Sequence, residues 1–198
     1  MLFRSVIGNA SYKNAPLRNP TNDADLITKT LTASGFLVSR HDNLTYAKMR
    51  EVVRTFGEKL SKGDVGLFYY SGHAVQYRGK NYLLPINEDL KHSDEIPSSA
   101  MDIDFVLAKM ESAKNDLNIV ILDACRNNPL GAESRNIERG LTSVNAAKGT
   151  FIAFSTSPGN VALDGAGSNS PYTKNLAQAI RKGRSEEHTS ELQSRQYL

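Results

Sequence analysis

Apolar residues in this chain fall into two alternating kinds of run. Short unbroken stretches, such as Val65-Gly-Leu-Phe-Tyr-Tyr70, Ile119-Val-Ile-Leu122 and Phe151-Ile-Ala-Phe154, are separated by longer segments in which apolar residues recur every three or four positions. The unbroken runs predict strands buried on both faces, and the longer period predicts the helices that cover them. Val6-Ile-Gly8 reads as the end of a first strand. Thr21 or Asn22 is expected to cap a helix with Asp23 and Asp25 in its first turn and Leu26, Ile27 and Leu31 on one face, ending at Ser34-Gly35. Phe36-Leu-Val38 follows as a second strand, and Tyr46, Met49, Val52, Val53, Phe56 and Leu60 mark a second helix, opened at Thr45 and stopped by Gly63.

The next strand reaches His73, with Ser71-Gly72 expected to form a tight, exposed turn. Pro85 makes Tyr82-Leu-Leu-Pro-Ile86 an edge strand or a loop. A third helix is predicted over about Asp102 to Ala113, burying Ile103, Val106, Leu107 and Met110. After it come the strand Ile119 to Asp123, a polar loop from Asn127 to Lys148, the strand Phe151 to Phe154, a Gly-rich loop, and a helix opened by Ser170-Pro171. Alternation of this kind predicts a doubly wound α/β sandwich: a mostly parallel sheet with helices on both faces. Its site should lie beyond the carboxyl ends of the strands.

The two ends of the chain stand apart from this pattern. A DNA sequence that encodes Arg184-Ser-Glu-Glu187 has a reverse complement that encodes Leu2-Phe-Arg-Ser5, and the stretch Arg184 to Ser194 resembles a translated sequencing adapter. Residues 1–5 and 184–198 are therefore read as a non-native scar around one domain, 6–183, truncated at its C-terminal side. That domain is large enough to bury a core. The formal net charge is +3, and it is unchanged when both ends are left out. Basic residues are scattered, so no nucleic-acid partner is expected, and no apolar run is long enough to span a membrane. A start lost upstream would take any signal peptide with it, so localisation stays open, with the cytoplasm as default.

The single cysteine, Cys125, excludes an internal disulfide and argues against a zinc site. Free cysteine is often a core residue. Here, however, Arg126-Asn-Asn-Pro129 turns the chain toward solvent directly after it. His73 ends a second buried run in the same way, so a thiol and an imidazole arrive at the ends of two strands. Nucleophile and base are roles those groups can fill.

Phe68-Tyr-Tyr-Ser-Gly-His73, Gly79-Lys-Asn-Tyr-Leu-Leu-Pro85 and Asp123-Ala-Cys125-Arg resemble the signature blocks of the caspase-like cysteine peptidases, in their bacterial metacaspase-related branch. Leu17-Arg-Asn-Pro-Thr-Asn-Asp-Ala24 and Ile152-Ala-Phe-Ser-Thr-Ser-Pro-Gly159 fit the same branch, so the resemblance covers essentially all of 6–183. His73 and Cys125 are 52 positions apart, close to the caspase spacing. The resemblance implies a caspase-like three-layer sandwich, Cys125 as nucleophile, His73 as its proton partner, and an oxyanion hole of the backbone N–H groups of Ala74 and Cys125. Many relatives have glycine where Ala74 stands. It also implies an acidic pocket, formed by Asp123 with Asp23, that takes Arg or Lys before the cut. Helix N-terminal charge for Asp23 and a solvated strand end for Asp123 are the plainer readings.

Protein or peptide substrates follow from this resemblance, and regulatory domains lost with the truncation would be further partners. Self-cleavage after Arg135 or Arg139, in the polar loop, is a further expectation. Calcium-dependent metacaspases carry extra aspartates around their active-site loops, where this chain has only Glu133 and Glu138, so no metal or other cofactor is expected. A non-catalytic caspase-homology scaffold or binding module competes with the peptidase reading. A nucleotide-handling protein is remote, because Gly8-Asn-Ala-Ser11 lacks the glycine spacing that cradles phosphate. The truncation leads to one last expectation: with the start of the first strand and the elements beyond the last helix missing, the chain should be a poor peptidase.

Overall fold

A computed structural model describes residues 3–87, 90–125, 137–138, 141–144, 148–155 and 167–195. The first strand, β1 (Phe3–Gly8), leads through a loop to α1 (Pro20–Ala33), β2 (Leu37–Asp42), α2 (Tyr46–Lys59) and the long β3 (Val65–Tyr77). After β3 come β4 (Lys80–Leu83), the short helix α3 (Ile96–Ser99), β5 (Met101–Asp102), α4 (Ile103–Ser112) and β6 (Leu117–Cys125). The two-residue β7 (Ile137–Glu138), β8 (Thr150–Phe154) and α5 (Pro171–Arg195) complete the order.

Five strands form one parallel sheet in the order β2-β1-β3-β6-β8. Side chains alternate across it, so successive residues feed opposite layers. Ile7, Phe68, Tyr70, Val120 and Leu122 pack with Met49, Val53 and Phe56 of α2 and with Val106 and Met110 of α4. Val6, Leu67, Tyr69 and Ile121 pack with Ala24, Ile27 and Leu31 of α1 and with Ala177 of α5. The result is the three-layer, mostly parallel α/β sandwich that the apolar runs predict. Past His73, β3 leaves the parallel sheet and pairs antiparallel with β4 and β7, and β4 with β5, over a third small core that includes Tyr12, Val75, Tyr82 and Ile96.

Local chemistry sets the element ends. Asn19, rather than Thr21 or Asn22, is the residue that opens α1, because Pro20 fits the first helical position, where no N–H is needed. Gly35, at φ +83°, lets the chain turn out of α1, a conformation that costs glycine least. Thr45 and Asp102 cap α2 and α4 as oxygen acceptors, Asp102 from the Asp104 N–H at 2.9 Å. Gly8 is required by close approach, since a Cβ there would lie 2.5 Å from the Pro20 carbonyl oxygen at the start of α1.

Two further expectations need adjusting. The second strand starts one residue later than Phe36 and continues to Asp42. Ser71-Gly72 is buried strand rather than exposed turn, because β3 runs four residues beyond His73. At the two ends, Phe3 to Ser5 pair within β1, and the backbone of α5 continues past Gly183 to Arg195. Helix elongation adds one hydrogen bond per residue, so polar residues after an established helix extend it whatever their origin.

Candidate active site

The site assembles where β3 and β6 run side by side. Their parallel register pairs Ser71 with Asp123, Gly72 with Ala124 and His73 with Cys125, so the histidine and the cysteine sit directly opposite each other on adjacent strands. Cys125 closes β6, at the carboxyl end of the parallel sheet. His73 is not at a strand end: it is the last residue of β3 in the parallel ladder, and Ala74 opens the antiparallel ladder opposite Leu83. Both His73 and Ala74 are buried.

The imidazole is held by the loop after β1. His73 Nε2 lies 2.7 Å from the carbonyl oxygen of Ala15, an atom that can only accept. Nε2 therefore carries the proton in this arrangement, which makes Nδ1 the basic nitrogen of the neutral ring. The Tyr12 ring lies against the imidazole, with centroids 4.4 Å apart and planes at 54°. The Tyr12 hydroxyl also accepts the His73 backbone N–H at 2.8 Å.

Asp23 and Asp123 come from α1 and β6 and are both buried. They meet at the start of α5. Asp23 Oδ1 accepts the Ser170 backbone N–H and the Asn169 side-chain amide, each at 2.9 Å, and its Oδ2 accepts the Ser71 hydroxyl at 3.4 Å. Asp123 Oδ2 accepts a short bond from the Ser170 hydroxyl and another from Thr173 Oγ1 at 2.6 Å. Ser170 thus bridges the two carboxylates and, accepting the Thr173 N–H at 3.0 Å, also caps α5. Burial first, and then the charges of Asp123 and Asp23, push the Tyr69 hydroxyl well above its usual pKa. Two carboxylates buried side by side in this way make an environment in which a cation would be held strongly.

Arg135, Arg139 and Glu133 lie outside the described residues, as does most of the polar loop, and only the backbone of Glu138 is described, in β7. Among the described residues no group of three His, Cys, Asp or Glu is placed to hold a metal ion, and no helix is long and apolar enough to cross a membrane. Sequence reasoning missed Tyr12, Ala15 and Ser170. Tyr12 and Ala15 belong to an irregular loop without periodicity, and Ser170 shows in the sequence only as a helix cap.

A family model for the caspase domain matches residues 5–195. The chain belongs to the caspase-domain family. Among curated proteins, this caspase domain is similar to the human mucosa-associated lymphoid tissue lymphoma translocation protein 1 and to its mouse homologue, each 31% identical over 122 residues. The alignment covers 61% of this chain and only 14% of either relative, so the caspase domain spans a small part of their length. A cysteine-peptidase type of function is what family membership carries.

Proposed function

We propose that this caspase domain is an endopeptidase in which Cys125 and His73 form the catalytic dyad and Asp123 with Asp23 selects Arg or Lys before the scissile bond. The observation that carries it is the register of β3 on β6, with His73 opposite Cys125 at the carboxyl end of the sheet. In this reading the Cys125 thiolate attacks the peptide carbonyl carbon, and the negative charge passes to the carbonyl oxygen, where the backbone N–H groups of Ala74 and Cys125 receive it. His73 gives the thiol's proton to the departing amine as the C–N bond breaks, leaving a thioester. Water then adds to the thioester, with His73 taking its proton, and the acid product leaves as the thiol re-forms.

The basic preference is supported by two buried carboxylates joined through Ser170. Such a pocket favours guanidinium or ammonium and repels aspartate. The Asp-Ala-Cys-Arg block also supports placing the chain in the metacaspase-related branch, and no cofactor enters the mechanism. Self-cleavage after Arg135 or Arg139 is part of the same proposal, and fragments ending at either residue, detected by mass spectrometry, would establish it.

The test is Cys125→Ala and His73→Ala in the full chain, assayed on fluorogenic peptides ending in Arg or Lys. Both variants should lose cleavage. Cys125→Ala should melt like the parent, whereas His73→Ala should lose about 1–3 kcal/mol, because the Ala15 carbonyl loses its buried donor. Near-parental turnover by Cys125→Ala would remove the peptidase reading.

A further inference from the structure

We propose that Tyr12 and Tyr70 are positioning residues whose paired hydroxyls clamp the backbone of His73 and so fix the imidazole against Cys125. The inference rests on the dyad reading above and adds to it two residues that act through His73.

His73 sits where β3 exchanges a parallel neighbour for an antiparallel one. At such a junction the ladder changes direction, and backbone groups need other partners. Two side chains supply them. The His73 N–H donates to Tyr12 Oη at 2.8 Å, and Tyr70 Oη donates to the His73 carbonyl at 2.8 Å, an oxygen that also accepts from the Leu84 N–H at 2.9 Å. The two hydroxyls are 3.0 Å apart, and both reach the Leu84 carbonyl, at 3.1 Å from Tyr12 and 3.0 Å from Tyr70.

Proton counting shows how tightly this couples. Each hydroxyl has one proton to give. With the His73 N–H on one lone pair of Tyr12, Tyr12 must direct its own proton to Leu84 or to Tyr70. Tyr70 chooses among the His73 carbonyl, the Leu84 carbonyl and Tyr12. Turning either hydroxyl therefore gives up a neighbour's bond, and both are buried where water cannot replace it. Burial also holds the Tyr70 hydroxyl well above its usual pKa, so it stays a donor.

Sterics close the clamp. A Cβ at Gly72 would lie 2.6 Å from Tyr12 Oη and 2.7 Å from Tyr70 Oη, so the hydroxyls press directly on the backbone before the histidine. One loop grips both parts of His73, since Tyr12 holds its N–H and ring while Ala15 holds Nε2. That loop is itself pinned, with the Ala10 and Ser11 N–H groups on Asn43 Oδ1 at 2.9 and 3.0 Å. Misplacing a catalytic group by about 1 Å costs on the order of a hundredfold in rate.

Because Cys125 is the chain's only cysteine, its alkylation by iodoacetamide can be read by mass without any substrate. The full chain is compared with Tyr12→Phe, Tyr70→Phe, His73→Ala and a control, Tyr82→Phe, whose side chain belongs to the same small core as Tyr12. At neutral pH His73→Ala sets the slow limit. Tyr12→Phe and Tyr70→Phe should each slow alkylation about tenfold or more, and all variants should converge above pH ~9, where a free thiol ionises unaided. Tyr82→Phe should keep the parental rate. If Tyr12→Phe does not fold, Tyr70→Phe decides, since it leaves the His73 N–H on Tyr12 and the Leu84 N–H on the His73 carbonyl. Rates within about twofold of the parent in the tyrosine variants, or a slowing that persists equally at high pH, would overturn the clamp. Parental alkylation in His73→Ala would overturn the dyad reading instead.

Discussion

Asp123 joins a structural role to the specificity proposed for it. Its carboxylate accepts the hydroxyls of Ser170 and Thr173, so it organises the first turn of α5 and would hold a substrate cation with the same charge. Truncating one partner of a buried charged pair costs about 2–5 kcal/mol, so Asp123→Ala should lower turnover of Arg and Lys peptides by orders of magnitude. A lower melting temperature should accompany it, through the lost α5 contacts. A fluorogenic panel decides the specificity, and faster cleavage after aspartate than after arginine would refute the acidic pocket. At this scale, the candidate residues His73, Cys125, Asp23 and Asp123 could be named from the sequence because each lies in a recognisable block. Tyr12 was not: it meets His73 across 61 positions, and no local period encodes that contact.

At the scale of elements, periodicity located the helices well, because each buries one stripe against the sheet. It failed at β3. Ser71-Gly72 has the composition of a turn, yet Gly72 is there because two tyrosine hydroxyls leave no space for a side chain, and the strand continues to Tyr77. The apolar run could not reveal that its partner changes from β6 to β4. Gly72→Ala should therefore destabilise the fold by about 1–3 kcal/mol, the usual cost of overpacking a close-packed site, and urea melts would show it. It should also displace Tyr12 and Tyr70, so alkylation of Cys125 at neutral pH should slow with it. An unchanged urea midpoint would mean that the hydroxyls can move aside, and the steric account of Gly72 would fall.

At the scale of the molecule, the layered architecture was legible because buried parallel strands must be apolar on both faces, whereas the antiparallel direction of the sheet begins at the two-residue turn Arg78-Gly79, which the apolar runs do not mark. The balance of charge and burial also sets a pH response. His41, on the edge strand β2, has its pKa lowered first by burial, with Asp42 opposing and Lys59 adding to the shift. Its ring lies 2.8 Å from the Ser39 hydroxyl. A histidine whose folded pKa lies below its unfolded one binds protons more readily in the unfolded chain. Stability should then be full above the unfolded value of ~6.5 and fall as the pH drops below it, until the folded form also protonates. Asp25, lowered chiefly by its hydrogen bond to Lys29, and Glu95, lowered chiefly by the Lys91 backbone N–H, contribute in the same direction but at lower pH, below ~4.5. Urea midpoints measured between about pH 7 and 5 isolate the histidine window. The parent should lose stability across it, and His41→Asn, which cannot take up the proton, should lose less. Equal slopes for the two proteins would show that burial of His41 contributes nothing to the acid limb.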